Sequence, residues 1–161
     1  MTADRTVSLK EAMSSFPSGV TLVTTTDENG NWRGFTATSF CSVSMEPPLV
    51  LVCLAVTAEC HPVFMSSSEW MINIIHRDHE DLAVRFATRG ADKFAGGDFL
   101  ADENGLPVLR DACVTIRCRA HARYDGGDHT ILVGRVEEAR MESVVPTIYF
   151  RRTFHQLQPT P

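Results

Sequence analysis

The chain has 161 residues, 43% of them hydrophobic and 22% charged, a size and balance that suit one soluble domain, 1–161. Its net charge of -5 argues against a nucleic-acid groove, which needs a basic surface. The longest apolar run, Leu49 to Val56, is too short to cross a bilayer, and the first residues lack the core of a signal peptide, so a cytoplasmic protein without a membrane partner is expected.

Ser8-Leu9-Lys10-Glu11 has the spacing of a capping box, and Leu9, Ala12, Met13 and Phe16 give a short apolar face. This predicts a helix over 9–15, stopped by Pro17 and Gly19. Residues 20–26 and 32–40 flank Asp27-Glu28-Asn29-Gly30-Asn31, the strongest turn signal in the chain, and predict an antiparallel hairpin. Pro47-Pro48 breaks the second of these strands. Residues 49–56 begin another, whose continuous apolar character predicts cover on both faces. Residues 60–65 read as a short helix with Pro62 in its first turn, and 70–75 as a buried strand.

Asp78-His79-Glu80-Asp81 opens a helix with an acidic first turn, an apolar face of Leu82, Ala83, Phe86 and Ala87, and an end at Arg89-Gly90. Residues 91–111 read as one long loop, a length more often functional than idle. From 113 to 124 the chain alternates: Val114, Ile116, Cys118, Ala120 and Ala122 face one way, Thr115, Arg117, Arg119, His121 and Arg123 the other. Asp125-Gly126-Gly127-Asp128 turns the chain into a partner strand over 129–139, and one more short strand closes 146–152. Many antiparallel strands with two or three short helices indicate a mainly β fold, a barrel decorated by helices.

Three stretches carry candidate chemistry. Thr36-Ala37-Thr38-Ser39 lies between two phenylalanines, yet all four side chains are small and three carry hydroxyls. A strand built only for packing prefers bulkier residues; here a flat ligand can approach the backbone, with hydroxyls able to donate and accept along a polyol or phosphate. A solvated strand face is the competing reading. At the tip Asp125-Gly126-Gly127-Asp128-His129, a carboxylate beside an imidazole can fix its tautomer, although a plain surface turn with an incidental histidine has the same composition. Asp92-Lys93-Phe94 puts a cation and an aromatic ring into the long loop, for gating a flat ligand or for simple anchoring.

Other chemistries are not supported. The five cysteines include no CxxC pair, so neither a disulfide framework nor a zinc knuckle is indicated, and most read as buried free thiols. His76, His79 and His155 show no metal-ligand spacing, and no metal is expected. There is no GxGxxG, no Walker-type loop and no GxSxG.

Phe16-Pro17-Ser18-Gly19-Val20-Thr21, Gly34-Phe35-Thr36-Ala37-Thr38-Ser39-Phe40, Ser42-Val43-Ser44, Pro47-Pro48-Leu49-Val50, Asp92-Lys93-Phe94, Gly127-Asp128-His129-Thr130-Ile131 and Tyr149-Phe150-Arg151 follow one another in a familiar order. In that order they resemble the short-chain flavin reductases of the FMN-binding split-barrel superfamily, a likeness that implies a domain core over about 16–154. The resemblance implies an antiparallel split β-barrel with a few short flanking α-helices. It also implies a homodimeric enzyme that uses NADH, or NADPH, to reduce free FAD or FMN for a separate monooxygenase.

By the same resemblance Thr36, Ala37, Thr38 and Ser39 would line the flavin, and Cys53, Leu54 and Ala55 would flank its ring. Lys93 and Phe94 would close the pocket, Asp128 and His129 would sit near the nicotinamide, and Arg151 would complete the edge. No indispensable general base is expected, because direct hydride transfer mainly requires two stacked rings. One departure stands out: Thr57-Ala58-Glu59-Cys60-His61 carries an acid where relatives carry several hydroxyls. Glu59 would repel a phosphate unless it points away, which keeps FAD beside FMN. The competing reading is a split-barrel electron carrier with permanently bound flavin; a third is a cofactor-free interaction domain.

Overall fold

The computed structural model describes residues 5–158 and 160–161. Its helices are α1 (Leu9–Ser14), α2 (His61–Ser66) and α3 (Glu80–Phe86), the last preceded by a 3-10 turn over Arg77–His79. The strands are β1 (Ser18–Gly19), β2 (Thr21–Thr26), β3 (Trp32–Ala37), β4 (Cys41–Met45), β5 (Pro48–Ala55) and β6 (Glu69–Ile74). They continue with β7 (Phe99–Ala101), β8 (Pro107–Leu109), β9 (Val114–Asp125), β10 (His129–Met141), β11 (Thr147–Phe150) and β12 (Thr153–Gln156).

Seven strands make one antiparallel sheet in the order β3-β2-β6-β9-β10-β5-β4. The sheet curls until β3 approaches β5, but no ladder joins them, so the barrel is split along that seam. Inside it Phe64, Trp70, Ile72, Val52, Leu54 and Leu132 are fully or almost fully buried. Each such side chain contributes about 1.5–3 kcal/mol by leaving water. A second cluster lies outside the sheet, where Leu82, Ala83 and Phe86 of α3 pack with Leu22, Ile75, Phe99 and Leu109. β2 is therefore covered on both sides.

The hairpin forms as its turn chemistry predicts. Asp27 Oδ1 accepts the backbone N–H groups of Asn29 and Asn31, both at 2.9 Å, and Gly30 adopts a positive φ of 80°. The Asn31 N–H is the main reason the Asp27 carboxyl sits below its ordinary range. Ser8 caps α1 by accepting the Glu11 N–H at 3.2 Å. The apolar face of α1, however, is not buried: Leu9, Met13 and Phe16 are all exposed.

Five further expectations need correction. β3 ends at Ala37 rather than at residue 40, because the chain leaves the ladder to cross the open seam into β4. β5 is not covered on both faces: Val50, Val52 and Leu54 are buried, while Leu49, Leu51 and Cys53 are partly exposed. Residues 91–111 hold a small hairpin, β7–β8, whose turn is built by Asp102 Oδ1 accepting the Asn104 and Leu106 N–H groups. The C-terminal strand has a partner, β12, and with β1 they form a three-stranded sheet.

The fifth correction concerns the alternation of β9. Val133 pairs with Ala122 and Gly134 with Ala120, so His121 is an extra residue, a bulge. Beyond it the faces exchange. Arg123 turns to the side of the buried Trp70, 5.7 Å from its ring, and donates to the carbonyls of Phe64 and Ser67 at the end of α2. A cation there satisfies helix carbonyls that have no partner within the helix.

Of the five cysteines, Cys60, Cys113 and Cys118 are buried, Cys53 is half-buried and Cys41 exposed. Burial pushes the Cys118 thiol up to about 12. His76 and His79, which lie among polar neighbours in the sequence, are both buried. Among the described residues no cluster of His, Cys, Asp or Glu is placed to hold a metal, and no helix is long and apolar enough to cross a membrane.

Candidate active site

The antiparallel register of β5 with β10 sets Ala55 opposite His129 and Leu54 opposite Thr130. Beyond Ala55 the chain turns toward α2, and the Val56 N–H donates to the Asp128 carbonyl at 2.9 Å, tying that turn to the β9–β10 tip. His61, at the start of α2, meets the Thr130 hydroxyl through Nε2 at 2.9 Å. On the other side of the seam, the Thr36 hydroxyl donates to the Ala83 carbonyl at 2.6 Å and pins α3 to β3.

These elements enclose a cleft of about 310 Å³. Phe35, Leu54 and Phe86 give it apolar walls, the end of β5 one edge, and Arg89, Lys93 and His129 its cationic and titratable groups. A neighbouring cleft of about 430 Å³, lined by Trp32, Gly34 and Phe94, shares Glu59, Cys60 and Lys93 with it. A larger groove of about 750 Å³, between the β2–β3 turn and α2, is polar and contains none of the candidate flavin- or nicotinamide-binding residues.

Thr36, Cys53, Leu54, Ala55, Lys93 and His129 all line the first cleft. Phe94 lines the second, in edge contact with Trp32, Phe86 and Phe99. Ala37 is buried, and its carbonyl accepts the Thr21 hydroxyl at 2.9 Å. Thr38 is exposed, whereas Ser39 accepts the Cys53 N–H at 2.9 Å. The hydroxyls of Thr36 and Ser39 thus already serve the protein's own backbone, which leaves Thr36 mainly as an acceptor toward a ligand.

Asp128 is exposed and its Oδ1 lies 2.7 Å from His129 Nδ1. That hydrogen bond, then the imidazole's charge, lowers the Asp128 carboxyl below its ordinary value. Arg151 lies elsewhere. It sits in the β11–β12 turn at a φ of 48°, its guanidinium 5.1 Å from the Phe150 ring and its N–H donating to Ser14 of α1.

Sequence reasoning missed Arg89, which read only as a helix stop. Its Nη1 donates to the Thr57 carbonyl at 2.9 Å and its Nε lies 3.7 Å from Glu59 Oε1. The usable signal was a cation one turn beyond the apolar face of α3, followed by glycine. Thr57 and Thr88 also line the cleft. Burial raises the Cys60 thiol, against the opposing pull of Lys93.

The sequence model of the flavin reductase like domain matches residues 13–158. The chain belongs to this family. An actinorhodin polyketide dimerase of Streptomyces coelicolor is 49% identical to it over 158 residues, covering 98% of this chain and 89% of that one. An NADH:riboflavin 5'-phosphate oxidoreductase of Streptomyces pristinaespiralis is 42% identical, with 95% and 89% covered. Among solved structures, the NADH:FAD oxidoreductase of Streptomyces globisporus, in complex with NAD and FAD fragments, superposes with a TM-score of 0.88. Its identity is 33%, and 94% of this chain and 92% of that chain are covered. The split, seven-stranded sheet with few short helices is the flavin reductase architecture.

Proposed function

We propose that this flavin reductase-family chain oxidises NADH, or NADPH, and reduces free FAD or FMN, which leaves to serve a separate monooxygenase. The carrying observation is the cleft at the split edge of the barrel: apolar walls from Phe35, Leu54 and Phe86 continue directly into a mouth holding Arg89 and Lys93. A flat, apolar ring with an anionic tail fits that donor set. The geometry suits a visiting ligand, because the cationic mouth is open to solvent.

The flavin, when bound, supplies the chemistry by accepting a hydride from nicotinamide. The chain's own residues bind, orient and exclude water. Cys53, Leu54 and Ala55 offer one edge of the cleft, with Thr36, Ala37, Thr38 and Ser39 across the seam. Arg89 and Lys93 hold the anionic tail, and Phe94 backs the cleft from the second cluster. Asp128 holds the His129 ring through Nδ1, which leaves Nε2 available to the nicotinamide amide. No residue in the cleft is asked to move a proton, because fixing two rings in contact is the main demand of hydride transfer.

A homodimer in the cytoplasm belongs to this reading. In support, the edge strand β4 and helix α1 expose Val43, Met45, Leu9 and Met13, apolar surface that a second copy would cover. The test is steady-state oxidation of NADH and NADPH with FMN, FAD or riboflavin as acceptor. Oxidation that needs added flavin and saturates in it is expected; a rate unchanged by flavin contradicts the proposal.

A further inference from the structure

At the mouth of the cleft a carboxylate already occupies the anion position. Glu59 Oε1 lies 3.7 Å from Arg89 Nε, and its Oε2 accepts the Gly90 N–H at 3.3 Å. Arg89 is held against the same loop by its bond to the Thr57 carbonyl. Glu59 and Lys93 line both clefts and Arg89 lines the first, so the acid shares the wall of that cleft with both cations. The side chains of Arg89 and Glu59 are 73% and 43% exposed, so their pairing is solvated and weak enough to yield to a competing anion.

We propose that Glu59 is a charge filter at this mouth: it occupies the cationic donors between ligands and weakens the binding of flavins that carry phosphate relative to riboflavin, which carries none. This rests on the flavin-reductase reading and adds a selectivity to it. An anion that takes Arg89 and the Gly90 N–H displaces the carboxylate, which stays nearby because its loop is anchored at Val56 and Thr57. The remaining repulsion scales with ligand charge. The phosphate monoester of FMN carries about -1.5 to -2 at pH 7, and the two phosphates of FAD carry about one charge each, so both are repelled, whereas riboflavin carries no charge there. A serine or threonine at this position would impose no such bias.

The experiment is an equilibrium fluorescence titration of the wild-type chain, Glu59→Gln and Glu59→Ala with riboflavin, FMN and FAD, without nicotinamide. Glu59→Gln keeps the side chain's size and is expected to tighten FMN and FAD by about three- to tenfold, leaving riboflavin within about twofold. Glu59→Ala should rank the three flavins in the same order. Unchanged FMN affinity, or equal tightening of all three flavins, overturns the filter. A wild-type chain that binds none of the three overturns the flavin reading itself, a result distinct from either of those.

Discussion

Ser39 joins Cys53 across the split of the barrel, where no strand ladder exists: its Oγ accepts the Cys53 N–H at 2.9 Å and faces the Cys53 carbonyl at 3.4 Å. One hydroxyl therefore holds the two walls of the cleft at a fixed separation. Ser39→Ala leaves the Cys53 N–H without its partner, and a loss of about 1–3 kcal/mol in urea denaturation is expected. Flavin affinity should fall with it. A midpoint and an affinity both equal to wild type would show that the seam is held by something else.

Gly34 sits directly under α3. A Cβ there would lie 2.7 Å from Phe86 Cε1 and 2.9 Å from the Val23 carbonyl oxygen. The ring could shift, but the carbonyl is part of the β2–β3 ladder. Gly34→Ala should therefore destabilise by about 1–3 kcal/mol and displace the α3 side of the cleft. Thermal denaturation checks this, and a variant as stable as wild type would contradict the close packing of β3 on α3.

Much of this was legible in the sequence because it is local. The Asp27–Asn31 turn, the Ser8 cap and the Pro62 helix start all follow from neighbours within four residues. The cleft was legible only in parts. Leu54, Ala55 and His129 could each be named, but their meeting depends on the β5–β10 register, which single-strand patterns do not contain. Arg123 defeats alternation outright, since one bulged residue at His121 exchanges the faces. The hydroxyls of Thr36 and Ser39 read as ligand donors; whether a hydroxyl is already spent on Ala83 or Cys53 depends on contacts across the fold. Arg89 was masked by its own glycine neighbour, which made it look like punctuation.

His129 faces the cleft from the β10 side and is oriented by Asp128. His129→Ala should raise the KM for nicotinamide nucleotide more than it lowers kcat, because a group that positions a ligand in both ground and transition states is lost mainly from binding. Asp128→Asn should shift KM in the same direction by less. Complete loss of turnover at saturating NADH would contradict a positioning role.

His79 is buried with its ring centroid 4.0 Å from that of His76. Burial, and then the charge of His76, holds its imidazole below the ordinary value of 6.5, against smaller opposing effects of the Arg110 backbone, Asp78 and Asp98. The folded chain thus binds fewer protons here than the unfolded chain. Its stabilising effect is complete above 6.5 and is lost as the pH falls below that value. The denaturation midpoint should drop between about pH 7.5 and about 5.5, and His79→Phe should shrink that drop. A midpoint that rises on acidification would contradict the assignment.

The most direct test of the central claim, that flavin is a substrate that comes and goes, is anaerobic mixing of the chain with excess NADH and a large molar excess of FAD. The loss of oxidised-flavin absorbance is then counted per protein. Bleaching of many equivalents per chain is the predicted result. Bleaching that stops at one equivalent would mark a carrier with resident flavin, and no bleaching at all would contradict the account entirely.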